Sequence, residues 1–320
     1  EKPVADSAEG VASVLAVAVA PVRAPDGGMK IAAANKDGTV RIWDATTGLL
    51  DRVIPINTDG AVVSVAFSPD GNHVASGDEG ANLQVWDVKT GERVGIPMRH
   101  AGQVLSVAYS PDGTLIATGG EDGFLTVWDA SGRNDRPLQR VRAVANQQGM
   151  VRAVAFRPEA KLVDKKPGDP GAGQAILVTG NDDGLVQLWD ARKGEPVGPP
   201  RLVAVNSTVM SVAFGVSYDP HADRELPRVA VGLIDGGVEV LDGQTLDLLW
   251  GPAAAHPGYA TSVAFSPGGT RIVSGGSDNT LRVWDVGPTA PPGALRPIGA
   301  PLVGHHGTVS SVSFNDDATQ

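Results

Sequence analysis

The chain has 320 residues, 42% of them apolar, with a net charge of −10. That length suits one large all-β domain or two ordinary domains, and the apolar content is enough for a sizeable core. The lack of cysteine excludes disulfides, thiol catalysis and Cys-based zinc sites, and the acidic balance argues against general nucleic-acid binding, because phosphate contacts need Lys and Arg.

The 41 glycines and 24 prolines predict many tight turns, and therefore many short strands. The first long apolar stretch, Val11–Ala20, is about half a membrane span and follows an acidic segment. It predicts a buried strand, with neither membrane insertion nor a secretory signal. From there a repeat runs along the chain. Trp-Asp recurs at Trp43-Asp44, Trp86-Asp87, Trp128-Asp129, Trp189-Asp190 and Trp284-Asp285, with a degenerate copy at Leu241-Asp242. Most copies are preceded by a second phrase: Ser64–Gly71, Ser106–Gly113, Ala153–Ala160, Ser211–Gly215 and Ser262–Gly269. In its full form this phrase reads Ser-Val-Ala-Phe-Ser-Pro-Asp-Gly, a short apolar strand followed by a tight turn.

Each unit reads as four strands. A second short strand follows the turn, as in Leu115–Thr118 or Arg271–Ser274. A Gly/Asp turn such as Glu121-Asp122-Gly123 leads to a third strand, as in Thr39–Trp43, and a Thr-Gly or Lys-Gly turn leads to a weaker fourth. Four antiparallel strands per 40-odd residues make one propeller blade, which must stack on neighbours to bury both faces. The expected fold is all-β, a single propeller of the seven-bladed type with almost no helix. Its blades span about 10–56, 57–99, 100–145, 146–203, 204–254 and 255–303, with a partial seventh at 304–320. Insertions at Val22–Gly28, Lys161–Gln174 and Val216–Pro227 fall in the same hairpin and should project from one face of the disc. The start at Glu1 without Met, and the stop after one strand of the seventh unit, read as the ends of a fragment. They predict an incompletely closed ring with aggregation-prone edges.

These phrases resemble the WD-repeat family over nearly the whole chain. The resemblance implies a structural tetrad in each blade: a His before the first strand, a Ser or Thr in the second, an Asp in the next turn and the Trp of the third. Two repeats match in full, His100, Thr118, Asp122, Trp128 and His256, Ser274, Asp278, Trp284. Repeat four keeps Thr179, Asp183 and Trp189 with Gln147 at the His position, repeat two has Gly80 where Asp is expected, and repeat one has Ala33 for Ser. Repeat five keeps only Asp235, so packing should hold that blade, and Asp242→Ala should be nearly silent. The segments Gly194–Pro200 and Arg296–Leu302 resemble bacterial, especially actinobacterial, members of the family. In such members propellers often follow a STAND-type NTPase or a Ser/Thr kinase.

The resemblance also implies partner binding on the face formed by the loops leading into the first strands and the turns joining second to third. By position the candidates are Lys36, Gln103, Leu105, Glu121, Arg152, Asp182, Met210 and Tyr259. A separate charge feature lies between Ala130 and Lys166, which carry a net +6 on an otherwise acidic disc. Arg133, Arg136, Arg140, Arg142, Arg152, Arg157, Lys161, Lys165 and Lys166 form this basic sector. It reads as a solvated face first, and as a docking patch for an acidic partner second.

Catalytic signatures are missing from the sequence: no Walker phosphate loop, Rossmann glycine fingerprint, His-Glu-x-x-His or Gly-x-Ser-x-Gly. His100, His256 and His305 fall at tetrad positions, and His73, His221 and His306 have no spaced partner for a metal. Asn181-Asp182-Asp183-Gly184 lacks the remaining ligands of a calcium loop. No metal or cofactor is expected. The expected function is a non-catalytic scaffold that binds proteins or peptides, in the cytoplasm. The alternatives are a ligand-sensing regulatory domain of an NTPase or kinase and, remotely, a propeller hydrolase with a channel metal.

Overall fold

The structure is a computed structural model. It describes residues 13–22, 28–56, 60–131, 139–144 (backbone), 149–158, 175–203, 205, 207–219, 224–288, 290 and 293–315. Among these residues lie six four-stranded antiparallel sheets, each meandering from an inner first strand to an outer fourth. Sheet one holds β1 (Val14–Val19), β2 (Lys30–Asn35), β3 (Thr39–Asp44) and β4 (Leu50–Pro55). Sheet two holds β5 (Val62–Phe67), β6 (His73–Asp78), β7 (Asn82–Asp87) and β8 (Arg93–Arg99). Sheet three holds β9 (Val104–Tyr109), β10 (Leu115–Gly120), β11 (Leu125–Asp129) and β12 (Gln139–Val144). Sheet four holds β13 (Val151–Phe156), β14 (Ile176–Asn181), β15 (Leu185–Asp190) and β16 (Glu195–Leu202). Sheet five holds β17 (Val209–Asp219), β18 (Arg224–Leu233), β19 (Gly237–Asp242) and β20 (Leu248–Ala254). Sheet six holds β21 (Ala260–Phe265), β22 (Arg271–Gly276), β23 (Leu281–Asp285) and β24 (Arg296–Pro297).

Burial follows strand position. Second strands such as β10 are buried at every residue, whereas β8 and β16 are exposed along most of their length. The core therefore lies between sheets, where second and third strands of neighbours face each other. The outer strands carry a Gly-x-Pro or Gly-Pro step with the glycine at positive φ, Gly95 and Gly198, where the ladder to the third strand shifts register. A bulge and a missing N–H donor on a rim strand hinder pairing with another chain.

Neighbouring sheets join by a repeated contact. The residue after the second-strand Ser or Thr is glycine in sheets two, three, four and six. The first valine of the next unit seats on it: Val104 on Gly77, Val151 on Gly119, Val209 on Gly180 and Val309 on Gly275. A Cβ at Gly77 would come within 2.5 Å of Val104, and one at Gly275 within 2.7 Å of Val309. A hydroxyl adds a directional link beside this contact. Ser64 Oγ accepts from the Val107 amide at 3.0 Å, and Ser106, Ser211 and Ser262 accept from Val154, Val263 and Val312 at 3.1 Å.

Between sheets six and one, among the described residues, only the innermost layer is continuous: β1 is partly exposed, and Val14, the counterpart of the buried Val104 and Val209, is 39% exposed. Residues 309–312 form no ladder strand, yet they dock on sheet six as β9 docks on sheet two. The Val309 amide donates to the Gly276 carbonyl at 3.1 Å, and Ser311 Oγ accepts from the Val17 amide of β1 at 3.1 Å. Sheet six is thus joined to sheet one through the innermost layer. One difference from the expected layout concerns sheet five. Val216–Pro227, expected as a projecting insertion outside the ladder, zips into the sheet itself, with pairing that continues to Asp219↔Arg224. The insertion Lys161–Gln174 and most of Val22–Gly28 lie outside the described residues.

The tetrad positions take two forms. In sheets three and six the His bridges the second strand and the turn. His100 Nε2 is 2.7 Å from Thr118 Oγ1 and Nδ1 3.3 Å from Asp122, while Trp128 donates to Thr118 Oγ1 at 2.8 Å. His256 is 2.9 Å from both Ser274 Oγ and Asp278, and Trp284 donates to Ser274 at 3.0 Å. Both imidazoles lie against a glycine: a Cβ at Gly276 would collide with the His256 ring, and one at Gly120 would come within 2.6 Å of the Asp122 carboxylate and 3.1 Å of the His100 ring. At the same register sheets one, two and four carry Asn35, Asp78 and Asn181, all fully buried. Asp78 accepts from the Asn82 amide at 2.8 Å, and Asn181 from the amides of Asp183 and Leu185 at 3.1 and 2.8 Å. A buried amide or carboxylate thus satisfies the turn where the histidine is missing. Trp86 and Trp189 still donate to Ser76 and Thr179 at 3.0 Å.

Sheet five uses neither form. Leu241 packs toward sheet four, while Trp250, on β20, is buried against sheet six, and the buried guanidinium of Arg228 stacks over it at 4.7 Å while donating to the Val286 carbonyl. Burial lowers the Arg228 pKa to about 10, with Asp242 and Asp285 opposing the shift, so the group stays charged at neutral pH. A cation–π contact of this kind contributes about 0.5–2 kcal/mol. Asp242 also accepts from the Gln244 and Thr245 amides at 2.8 and 2.9 Å. The expectation that Asp242→Ala is silent therefore gives way to a loss of about 1 kcal/mol.

Two outcomes follow for stability. Burial pushes the Asp278 carboxyl upward, but hydrogen bonds from His256 and Thr280 outweigh it and hold the group below its ordinary value of 3.8. A depressed carboxylate stabilises the fold above the unfolded value, and that contribution disappears as pH falls below it. Asp278→Asn should lower the melting temperature at pH 7 and flatten the loss of stability below about pH 4; an acid limb identical to the parent's would contradict the tetrad geometry. Gly276→Asn should displace the His256 ring and cost about 2 kcal/mol or more in equilibrium unfolding. His256→Gln in the same chain should recover part of that loss, because it recreates the combination of Gln147 and Asn181 in the sequence of unit four. Additive losses would show that the two positions are independent.

Candidate partner-binding face

All first strands run the same way across the disc, so its two faces are chemically different. The leading face gathers the loops before each first strand and the turns between second and third strands. The trailing face gathers the turns between first and second strands.

On the leading face each turn contributes at least one carboxylate. Asp37, Glu79, Glu121, Asp183 and Asp235 are exposed, while Asp122, Asp182 and Asp278 are half-buried. Of the cations nearby, Arg41 pairs with Asp37 at 2.7 Å, Arg282 with Asp278 at 3.7 Å and Arg152 with Asp182. These turns keep an acidic surplus. The turns are ordered by their own acids: Asp37 Oδ1 accepts from the Thr39 amide at 3.1 Å, Asp235 from Gly237 at 2.9 Å and Glu79 from Ala61 at 3.0 Å.

The candidate residues separate by exposure. Lys36, Glu121 and Tyr259 stand free at this surface, with Tyr259 50% exposed. Gln103, Leu105 and Met210 are half-buried beside the channel. Arg152 and Asp182 are tied to one another, so that pair is partly spent on internal structure. The acidic column was missed in the sequence reading, although one turn position carries an acid in unit after unit.

The basic sector looks different in three dimensions. Arg152 pairs with Asp182, and Arg157 with Glu225 at 3.0 Å. The side chains of Arg133, Arg136, Arg140, Arg142, Lys161, Lys165 and Lys166 lie outside the described residues, as does Gln147. Among the described residues no group of three or more His, Asp or Glu side chains is placed to hold a metal, and no helix is long and apolar enough to cross a membrane.

Comparison with known proteins matches this geometry. The chain is 23% identical over 283 residues to the nuclear distribution protein PAC1 of Arthroderma benhamiae, covering 82% of this chain and 48% of that protein. It is 28% identical over 322 residues to Denticleless protein homolog B of Xenopus laevis, covering 89% and 43%. The chain thus spans about half the length of these relatives. Both are eukaryotic, and the actinobacterial resemblance of the Gly-Pro segments finds no support in them. A solved structure described as that of U3-55K superimposes with a TM-score of 0.73 at 18% identity, covering 97% of this chain and 87% of that one, which establishes the propeller fold. The family model "WD domain, G-beta repeat" matches residues 11–44, 51–87, 91–129, 139–190 and 253–285, and the chain belongs to that family.

Proposed function

We propose that this protein is a non-catalytic scaffold whose leading face binds a protein or peptide through basic side chains. The carrying observation is the acidic surplus of the second-to-third turns, held on a rigid ring beside the exposed Tyr259. A carboxylate array on ordered turns attracts Lys and Arg at a distance, and an exposed aromatic ring beside it supplies contact area. The hydroxyl–imidazole pairs Ser274–His256 and Thr118–His100 are buried and bonded to Trp284 and Trp128, which supports a structural role for them and binding as the work of this face. Attachment to an NTPase or kinase would leave this binding chemistry unchanged.

Peptides selected from a random display library on the folded chain test the reading. The selected sequences should be rich in Lys and Arg and should bind less tightly as salt rises. The double variant Glu121→Lys, Tyr259→Ala should melt like the parent and bind the same peptides about tenfold or more weakly. Peptides that bind parent and variant equally would place recognition elsewhere and overturn the assignment.

A further inference from the structure

On the trailing face the first strands end in an aromatic column. Phe67, Tyr109, Phe156, Phe265 and Phe314 surround the channel mouth and line a half-enclosed, mainly apolar chamber of about 1030 Å³. One wall of it belongs to the long hairpin of sheet five, which contributes Glu225. This wall is fixed on both sides. Gly215 of the hairpin lies flat against the Phe265 ring of sheet six, with no room for a Cβ, and Arg157 of sheet four holds Glu225 at 3.0 Å. The chamber is therefore built by the zipped insertion, and its size suits a small molecule, for which sites of roughly 300–1,000 Å³ are usual.

Tyr109 is the one hydroxyl in a column of phenylalanines. Its phenol lines the chamber and makes no hydrogen bond among the described residues. Burial, with the nearby Asp70 charge, pushes its pKa well above the ordinary tyrosine value, so the group remains an O–H donor at any physiological pH. Asp70 close to Tyr109 disfavours an anion there, and Arg157 is already neutralised by Glu225.

We propose that this chamber binds an uncharged, largely apolar small molecule that presents one carbonyl-type oxygen to the Tyr109 hydroxyl. The aromatic walls supply burial, the hairpin supplies enclosure and the phenol supplies orientation. The site lies on the face opposite to Tyr259, so a guest in the chamber and a peptide on the leading face would not compete for contacts.

Nile red, an uncharged planar dye with one carbonyl, is the probe, and anilinonaphthalenesulfonate is its anionic counterpart. The folded chain should bind Nile red saturably at one site with blue-shifted emission, and the anionic dye more weakly. Tyr109→Phe should weaken Nile red about five- to tenfold, the loss of one hydrogen bond. Ser313→Trp, which adds bulk from an exposed position on the chamber wall, should abolish binding, and Tyr259→Phe should leave it unchanged. If Ser313→Trp lowers the melting temperature, Thr270→Trp, also exposed on that wall, takes its place. Three results would overturn the proposal: no saturable binding to the folded parent, undiminished binding in the filled chamber, or equal affinity in Tyr109→Phe. Preference for the anionic dye would overturn the assigned ligand class.

Discussion

The seating of one first strand against the next sheet's second strand is the contact on which the rest of this molecule depends. A four-stranded sheet of this sequence has apolar side chains on both faces, so it cannot stand alone. The valine-on-glycine contact lets two sheets approach closely, and the serine hydroxyl beside it fixes their register. Glycine here serves closeness: Gly77 and Gly275 leave space that a Cβ would occupy. The link is lacking where alanine replaces serine, at Ala16 and Ala153, and there packing alone sets the register. The hydroxyl link recurs from Ser262 to Val312 and from Ser311 to Val17, so the innermost layer runs on from sheet six to β1 without the valine-on-glycine contact there.

Within each sheet, the polar interior follows a compensation rule. An imidazole needs two partners when buried and also needs a glycine to make room. Where the histidine is present, Gly120 and Gly276 provide that room; elsewhere Asn35, Asp78 and Asn181 stand at the glycine's position and bond to the turn. Sheet five, with Val231 and Leu241 at the other positions, abandons the polar network. It relies on Arg228 stacked over Trp250, a contact made by strands two and four.

Much of this fold was legible because the chain states it repeatedly. Trp-Asp, the Ser-Pro-Asp-Gly turn and the alternation of the third strand each recur in register, and each has a local physical meaning. What could not be read was of another kind. The compensating asparagines sit two residues after the tetrad Ser or Thr position, and their role emerges only from their hydrogen bonds to the turn. The insertion of repeat five looked like a loop because Gly215 and Pro227 punctuate it, yet cross-strand pairing carries the ladder past them to Asp219↔Arg224. Binding residues were less legible still. Position within the motif could select Tyr259 and Glu121, but it could not reveal that Arg152 and Asp182 pair with each other, nor that Tyr109 takes a phenylalanine's place among the first-strand aromatics around a chamber.

The bond from Val17 to Ser311 joins residues 294 positions apart. During vectorial synthesis each sheet can seat on its predecessor as it emerges, but this contact has no partner until residue 311 has left the ribosome. Until then the six sheets form an open arc, with the inner edge of β1 waiting for a residue made 294 positions later. Once made, the bond leaves sheets one and six bridged, among the described residues, by 309–312 alone, with Val14 39% exposed. A fault that delays these residues therefore acts on β1.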